Sequence, residues 1–184
     1  NLENLSMGPG MEIWGKSGLG GMFNLNYQKE GVLYDFQLSD SVSITAGNYA
    51  FTSFMGNIMT SMSKPVSAML MINAGQFYDG NQLTLMLSPT VNFSSSLQLS
   101  GGYNFSHLSF PDRPANNSLN IHSVNIRALY MMNTKLSASA LVQFVNTSND
   151  LIANFRIRYN PHEGNDFYLV YNEYRGVGMD GEIP

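Results

Sequence analysis

The chain has no cysteine and few charged residues. Without cysteine, neither a disulfide framework nor a thiolate metal site can form. Charged residues make up 12% of the 184 residues, about half of the share that is usual in soluble domains. The formal net charge is −4, whereas a protein that binds nucleic acid needs a basic surface to neutralise phosphates. We therefore expect no nucleic-acid partner.

Long apolar runs are also missing. No stretch of about 18 or more apolar residues occurs, so the sequence encodes no transmembrane helix. Hydrophobic residues nevertheless make up 43% of the chain, which is enough for the core of one domain. We expect residues 1–184 to form a single domain.

Alternation of apolar and polar residues with a period of two dominates the sequence, and this pattern is typical of β-strands. It is regular across residues 65–175, where it predicts a meander of about seven antiparallel strands. Residues 1–64 are less regular, and we expect early strands at residues 21–28, 32–38, 41–49 and 50–59. The predicted fold class is therefore all-β, with about ten strands in the chain.

Short turn motifs separate the predicted strands. Asp79-Gly80 in FYDGNQ is a strong hairpin signal. The segment FPDRPANNS, residues 110–118, contains two prolines and two asparagines and predicts the longest loop of this half of the chain. NTSND, residues 146–150, predicts another turn. Such connections make consecutive strands antiparallel neighbours.

The strand LIANFRIRYN, residues 151–160, separates its side chains into two faces. Leu151, Phe155 and Ile157 are apolar on one side, and Arg156 and Arg158 occupy the other side. Strands of this kind fit a soluble sandwich or barrel with its apolar face inward, or a membrane barrel with its apolar face outward. Alternation alone does not separate the two architectures.

Three features favour the membrane barrel. Several predicted strands have the roughly 9 to 11 residues that a tilted strand needs to cross a bilayer. The polar face carries mostly Ser, Asn, Gln, Thr and Gly, whereas a soluble sheet normally carries interspersed Lys and Glu. Aromatic residues lie near strand ends, as in interfacial girdles, although aromatics are common in any sheet. We predict an antiparallel up-and-down transmembrane β-barrel, either complete or part of a larger barrel.

Arg127, Arg156 and Arg158 are the candidate site residues. An arginine that faces lipid at the bilayer midplane costs about 2–4 kcal/mol, so we expect all three to face the lumen, opposite Phe155 and Ile157. There they form a small basic patch that selects solutes, or they are paired with carboxylates and hydrogen-bonded to Asn and Ser. Both interpretations place the three arginines on the lumen wall.

Motifs for catalysis or metal binding are missing. The sequence has no G-x-S-x-G, no H-E-x-x-H, no Walker-type loop and no His/Cys cluster. His107, His122 and His162 fall in or beside different strands or turns. Glu163 and Asp166 flank a Gly-Asn turn. As a carboxylate pair they would bind calcium or act as acid and base, but turn chemistry explains them better. We predict that the chain is not an enzyme and has neither a cofactor nor a metal site.

The C-terminal half carries a family resemblance. The run LSASALVQFVNTSNDLIANFRIRYNPHEGNDFYLVYNEY resembles the C-terminal barrel domain of an uncharacterised family of Bacteroidota outer-membrane proteins. ITAGNYAF and GQFYDGNQ are similar to upstream segments of that family. A module similar to a family-nine carbohydrate-binding domain often precedes the family's barrel, and nothing in this chain corresponds to it. The ending RGVGMDGEIP also departs from the family's final strand. The resemblance implies an outer-membrane β-barrel and carries no established activity.

These observations give one leading functional hypothesis and two alternatives. The leading hypothesis is a bacterial outer-membrane barrel that acts as a pore, a scaffold or a partner subunit of a surface complex, in contact with outer-membrane lipid and with other surface proteins. The first alternative is a soluble β-barrel or sandwich that binds a lipid or sugar in an internal cavity. A hydrolytic barrel is the weakest, because the sequence nominates no nucleophile or base. The first two differ in whether Ile126, Val142 and Phe155 pack in a closed core.

Overall fold

A computed structural model describes residues 4–39, 42–113 and 118–176, and every regular element in this part of the chain is a β-strand. The all-β prediction is therefore confirmed. The thirteen strands of the described residues are β1 (Asn4–Met7), β2 (Gly10–Trp14), β3 (Gly20–Val32), β4 (Phe36–Ser39), β5 (Val42–Ile44), β6 (Gly47–Met59), β7 (Val66–Phe77), β8 (Gly80–Asn92), β9 (Leu97–Ser109), β10 (Ser118–Met131), β11 (Leu136–Val145), β12 (Asp150–His162) and β13 (Asn165–Gly176).

Eleven of these strands form one antiparallel sheet, in the order β1–β3–β6–β7–β8–β9–β10–β11–β12–β13, with β2 also paired to β3. Strands β4 and β5 form a separate two-stranded sheet. Among the described residues the large sheet is not closed into the predicted barrel, because its order begins at the β1–β2 edge and ends at β13. Consecutive pairing from β6 to β13 is the up-and-down arrangement that short connections favour.

The chain divides into two compact units, which are described separately. The first unit comprises Asn1–Ser61, Met69–Met86 and Asn104–Ile121. The second comprises Met62–Ala68, Leu87–Tyr103 and His122–Pro184.

Strand length is the unusual feature of the large sheet. Strands β3 and β6–β13 each have between 10 and 14 residues, whereas strands of soluble proteins usually have about five or six. A tilted strand needs about 9–11 residues to cross a bilayer, so each of these strands is long enough.

The early strands differ from their predicted positions. Separate strands at residues 41–49 and 50–59 are wrong, because β6 runs without a break from Gly47 to Met59. No turn residue interrupts the alternation between Tyr49 and Ala50, so the ladder with β3 continues from the Val32–Gly47 pair to the Gly20–Met59 pair. The predicted strand at residues 32–38 is reduced to β4.

Strands β1 and β2 behave as one interrupted strand at the edge of the sheet. Both pair with β3, β1 from Asn4 opposite Glu30 onward and β2 as far as Trp14 opposite Gly20. The interruption falls at Gly8-Pro9, where a Cβ on Gly8 would lie only 1.7 Å from the Leu25 carbonyl oxygen. Only glycine permits this close approach of the two backbones.

The predicted turns are present with shifted boundaries. The β7–β8 turn consists of Tyr78 and Asp79, with Tyr78 at a φ of 49°, and Gly80 already begins β8. Of the predicted loop at residues 110–118, residues 114–117 lie outside the described residues. So do residues 177–184, which include most of the ending that departs from the family pattern.

Candidate functional site

Strands β10–β13 of the second unit have one apolar face. The register places Val142 of β11 between Ile126 of β10 and Ala153 of β12, and Ala140 between Ala128 and Phe155. No described element covers this face: the exposed fraction is 54% for Ile126, 44% for Val142 and 41% for Phe155. The side chains that a soluble sheet would bury therefore face outward.

The three predicted site residues lie on the opposite face of these strands. Arg127 stands opposite Leu141, while Arg156 and Arg158 stand opposite Ser139 and Ser137 of the same strand β11. Because neighbouring strands are about 4.8 Å apart, β11 separates Arg127 from the other two by about 10 Å. The arginines share a face, but they do not form one contiguous cluster.

Among the described residues, one of the three arginines has a carboxylate partner. Arg158 Nε donates to Asp166 Oδ1 at 2.8 Å, and Asn160 Nδ2 donates to the same oxygen at 2.9 Å. Within residues 4–39, 42–113 and 118–176, neither Arg127 nor Arg156 makes an ion pair or a side-chain hydrogen bond. The paired interpretation thus applies to Arg158, and the other two carry the uncompensated positive charge of this face.

The β6 strand of the first unit also has one polar and one apolar face. At four of its positions the exposed fractions are the reverse of those expected in a soluble protein. On β6, Ser53 and Asn57 project to one side and are only 6% and 9% exposed. Phe54 and Ile58 project to the other side and are 39% and 46% exposed. We call the side of Ser53 and Asn57 the inner polar face. At these four positions the polar side chains are buried and the large apolar side chains are exposed, while Phe51, which shares the inner polar face, is also buried.

Buried amides line the inner polar face. Asn73 of β7 lies opposite Met55, two residues from Asn57 along the register, so both asparagines project to the same side. The Oδ1 atoms of Asn57 and Asn73 are buried and accept no hydrogen bond from the described residues. Buried amide oxygens need donors, and a hydrated interior supplies them at lower cost than an apolar core.

A hydrophobic cluster closes one end of the inner polar face. Val42 and Ile44 of β5 are 1% and 0% exposed and pack with Leu108 and Phe110. Tyr49, which packs against this cluster, is four residues before Ser53 on β6 and therefore projects to the same side. The β4–β5 pair thus lies on the inner polar face, and we call it the lid segment.

Arg113 joins the lid segment to the sheet. Its Nε and Nη2 donate to the two carboxylate oxygens of Asp79 at 2.9 and 2.8 Å, which is the bidentate geometry of strong charge-assisted bonds. Nη1 donates to the Ser43 carbonyl oxygen at 2.7 Å, and the guanidinium lies 4.1 Å from the centre of the Phe110 ring. Hydrogen bonds from Arg113 lower the pKa of the Asp79 carboxyl. We call these four residues the Arg113 network.

Tyr78 packs beside this network with a crowded ring. Its centroid is 5.1 Å from that of Tyr49, 5.4 Å from that of Phe51 and 4.7 Å from that of Phe77. The Tyr78 hydroxyl donates to Glu30 at 3.2 Å. Burial, followed by the negative charge of Glu30, raises the pKa of Tyr78 above its usual value. The Tyr78 hydroxyl thus stays uncharged at neutral pH.

The sequence did not nominate this cluster. Asp79 was interpreted as a turn residue and Arg113 as part of a loop, and their side chains meet although 34 positions separate them. The only signals are an arginine in a proline-rich loop and a carboxylate in a tight turn, and neither specifies the other.

The remaining candidate residues are dispersed. His107 contacts Asn120 at 2.7 Å in the first unit, and His122 contacts Tyr103 at 2.9 Å in the second. Asp166 forms an ion pair with Arg158. In the part of the chain that the structure describes, no three His, Cys, Asp or Glu side chains are grouped to hold a metal ion.

None of the described residues belongs to a helix that is long and apolar enough to span a bilayer. Comparison of the chain with protein-family models, with curated proteins and with solved structures gives no match. The functional argument therefore depends on the geometry of the two faces, the arginines and the lid segment.

Proposed function

We propose that this chain forms a transmembrane β-barrel in a bacterial outer membrane, where it acts as a pore, a scaffold or a partner subunit of a surface complex. In this arrangement the apolar faces contact lipid and the polar faces line the lumen. The proposal includes no catalytic role.

The reversed burial of the two faces carries the proposal. Ser53 and Asn57 are buried, while Phe54 and Ile58 on the same strand are exposed. In water this arrangement loses the stabilisation that apolar burial normally supplies. In a bilayer the same arrangement is favourable, because lipid covers the apolar side and β6 is paired along its backbone with β3 and β7.

The length and edges of the strands support the same conclusion. Strand β13 has 12 residues, and its exposed side chains include Phe167, Leu169 and Tyr171. A long apolar edge without lysine or proline invites aggregation in water. Hydrocarbon likewise does not tolerate an open edge, so in the membrane both β13 and the β1–β2 edge require a partner. Closure of the sheet on itself, or strands of another chain, would supply it.

The resemblance to Bacteroidota outer-membrane proteins supports the cellular location. It rests on the strands β11–β13 and on the turn motifs between them. The soluble alternative, a barrel with a lipid or sugar in an apolar cavity, requires an enclosed apolar face. The exposure of Ile126, Val142 and Phe155 argues against it.

Extraction of the protein tests the proposal. We expect the chain to partition into detergent and to migrate faster in a gel before heating than after heating, as folded membrane barrels do. A soluble protein of similar size, produced and treated in parallel, controls for general aggregation. If the chain is instead a monodisperse, folded species in plain buffer, the membrane proposal is wrong.

A further inference from the structure

The lid segment is attached to the rest of the first unit by side chains. Strands β4 and β5 form their own two-stranded sheet, so no backbone ladder joins them to β3 or β6. An isolated two-stranded sheet is marginally stable in water. The position of the lid segment therefore depends on the packing of Val42 and Ile44 and on the Arg113 network.

Exposed connections flank the lid segment on both sides. Leu33 and Tyr34 precede it and are 71% and 82% exposed, and Thr45 and Ala46 follow it in exposed positions. The Ala46 amide donates to the Asp35 carboxylate at 2.7 Å, which holds the two connections together. These connections make few buried contacts and can rearrange at low free-energy cost, so they permit movement of the lid segment as one piece once its packing and the Arg113 network are released.

Arg113 connects the lid segment to the sheet and to the hydrophobic cluster. One side chain contacts the lid segment at the Ser43 carbonyl, the sheet at Asp79 and the cluster at Phe110. Hydrogen bonds with ionised partners are about twice as strong as neutral ones. Loss of the guanidinium removes all three contacts together, whereas loss of any single apolar side chain leaves the others in place.

We propose that the lid segment is a movable lid over one end of the inner polar face, held shut by the Arg113 network. The proposal rests on the proposed function, in which that face lines the lumen. When the network is released, the lid swings away and the polar face becomes accessible from that end. The protein is accordingly a gated pore that is closed while Arg113 binds Asp79 and Ser43.

The absence of cysteine permits a direct experiment. In the full chain in detergent, Ile44→Cys places one thiol under the closed lid, and its reaction with a hydrophilic maleimide reports opening. We expect slow labelling in the otherwise unchanged chain and labelling about ten-fold faster with Arg113→Ala or Asp79→Asn, because each removes charge-assisted hydrogen bonds. Arg175→Ala, which breaks the Arg175–Glu173 ion pair of β13, is the matched control and should leave labelling unchanged.

Hydrogen exchange of β4 and β5 gives the same comparison without an introduced cysteine, in case Ile44→Cys destabilises the lid by itself. Faster exchange in Arg113→Ala and Asp79→Asn, with unchanged exchange in β6, supports the lid. Equal labelling and equal exchange in all variants would overturn it.

Conductance measurements distinguish movement of the lid segment from the presence of a conducting pore. In planar bilayers we expect Arg113→Ala to increase the conductance and Arg175→Ala to leave it unchanged. Faster labelling without any conductance would support movement of the lid segment and contradict the proposal of a pore. Unchanged labelling in a sample that still partitions into detergent and shows heat-modifiable migration would overturn the lid and leave the barrel intact.

Discussion

At the scale of single residues, the charge of the lumen wall in the proposed barrel depends on which arginines are neutralised. Arg158 is paired with Asp166 at 2.8 Å, so this pair contributes little net charge. Arg127 and Arg156 have no such partner within the described ranges. In the proposed barrel their charges face the lumen, where they attract anions over a distance comparable to the Debye length.

The double variant Arg127→Ser and Arg156→Ser should therefore lower the anion-to-cation permeability ratio, by roughly two-fold at low ionic strength. Reversal potentials across a salt gradient measure this ratio, best in the Arg113→Ala background in which the lid is released. The reason is the loss of two uncompensated positive charges from the wall.

The control for this prediction also changes two residues. Arg158→Ser together with Asp166→Asn removes the ion pair and leaves the net charge unchanged, so the permeability ratio should stay close to its starting value. Equal ratios for the two double variants would show that the arginines do not select the solute.

At the scale of elements, the lid segment has a defined dependence on pH. Hydrogen bonds from Arg113 lower the pKa of Asp79, so the closed state binds the ionised carboxylate in preference to the protonated one. For a group whose pKa is lowered on closing, the stabilisation is complete above its ordinary pKa of about 4 and is lost as the pH falls through the lower value.

We therefore expect the exchange of β4 and β5, corrected for intrinsic rates, to be constant between about pH 5 and pH 8 and to increase only below about pH 4. Hydrogen exchange with mass spectrometry measures this profile. Asp79→Asn lacks the titrating group, so its profile should be elevated and flat. A transition near pH 6 to 7 would assign the dependence to a histidine and contradict the role of Asp79.

The elements also show which parts of this fold are encoded locally. Alternation with a period of two is visible in each strand by itself, so the all-β class and the two faces of β10–β12 could be predicted. The placement of Arg156 opposite Phe155 follows from that alternation alone. The continuous strand β6 was not predicted, because no local signal shows that its ladder with β3 is unbroken from Gly47 to Met59.

The lid segment could not be predicted for a different reason. Its cluster combines Val42 and Ile44 with Leu108 and Phe110, which are more than 60 positions away in the sequence. No local pattern records such a contact, since the residues lie in a short irregular segment and at the end of a distant strand. The Arg113 contact with Ser43 likewise spans 70 positions.

At the scale of the whole molecule, the central question is which medium covers the exposed apolar faces. Phe155 lies near the middle of the 13-residue strand β12, on the apolar face of the second unit. Its neighbour Asn154 lies at the same depth on the opposite face, between Leu141 and Asn172. The two positions differ in the face they occupy and hardly at all in depth.

Phe155→Arg should therefore prevent or weaken insertion into vesicles, because an arginine facing lipid at the midplane costs about 2–4 kcal/mol. Asn154→Arg, which adds the same charge toward the lumen, should insert nearly as well as the unchanged chain. Folding into lipid vesicles across a urea titration measures the difference between the two variants. In a sheet whose Phe155 face meets water, an added arginine on that face costs almost nothing, and the two variants would then fold alike. Equal insertion of both variants would remove lipid as the medium that covers the apolar face.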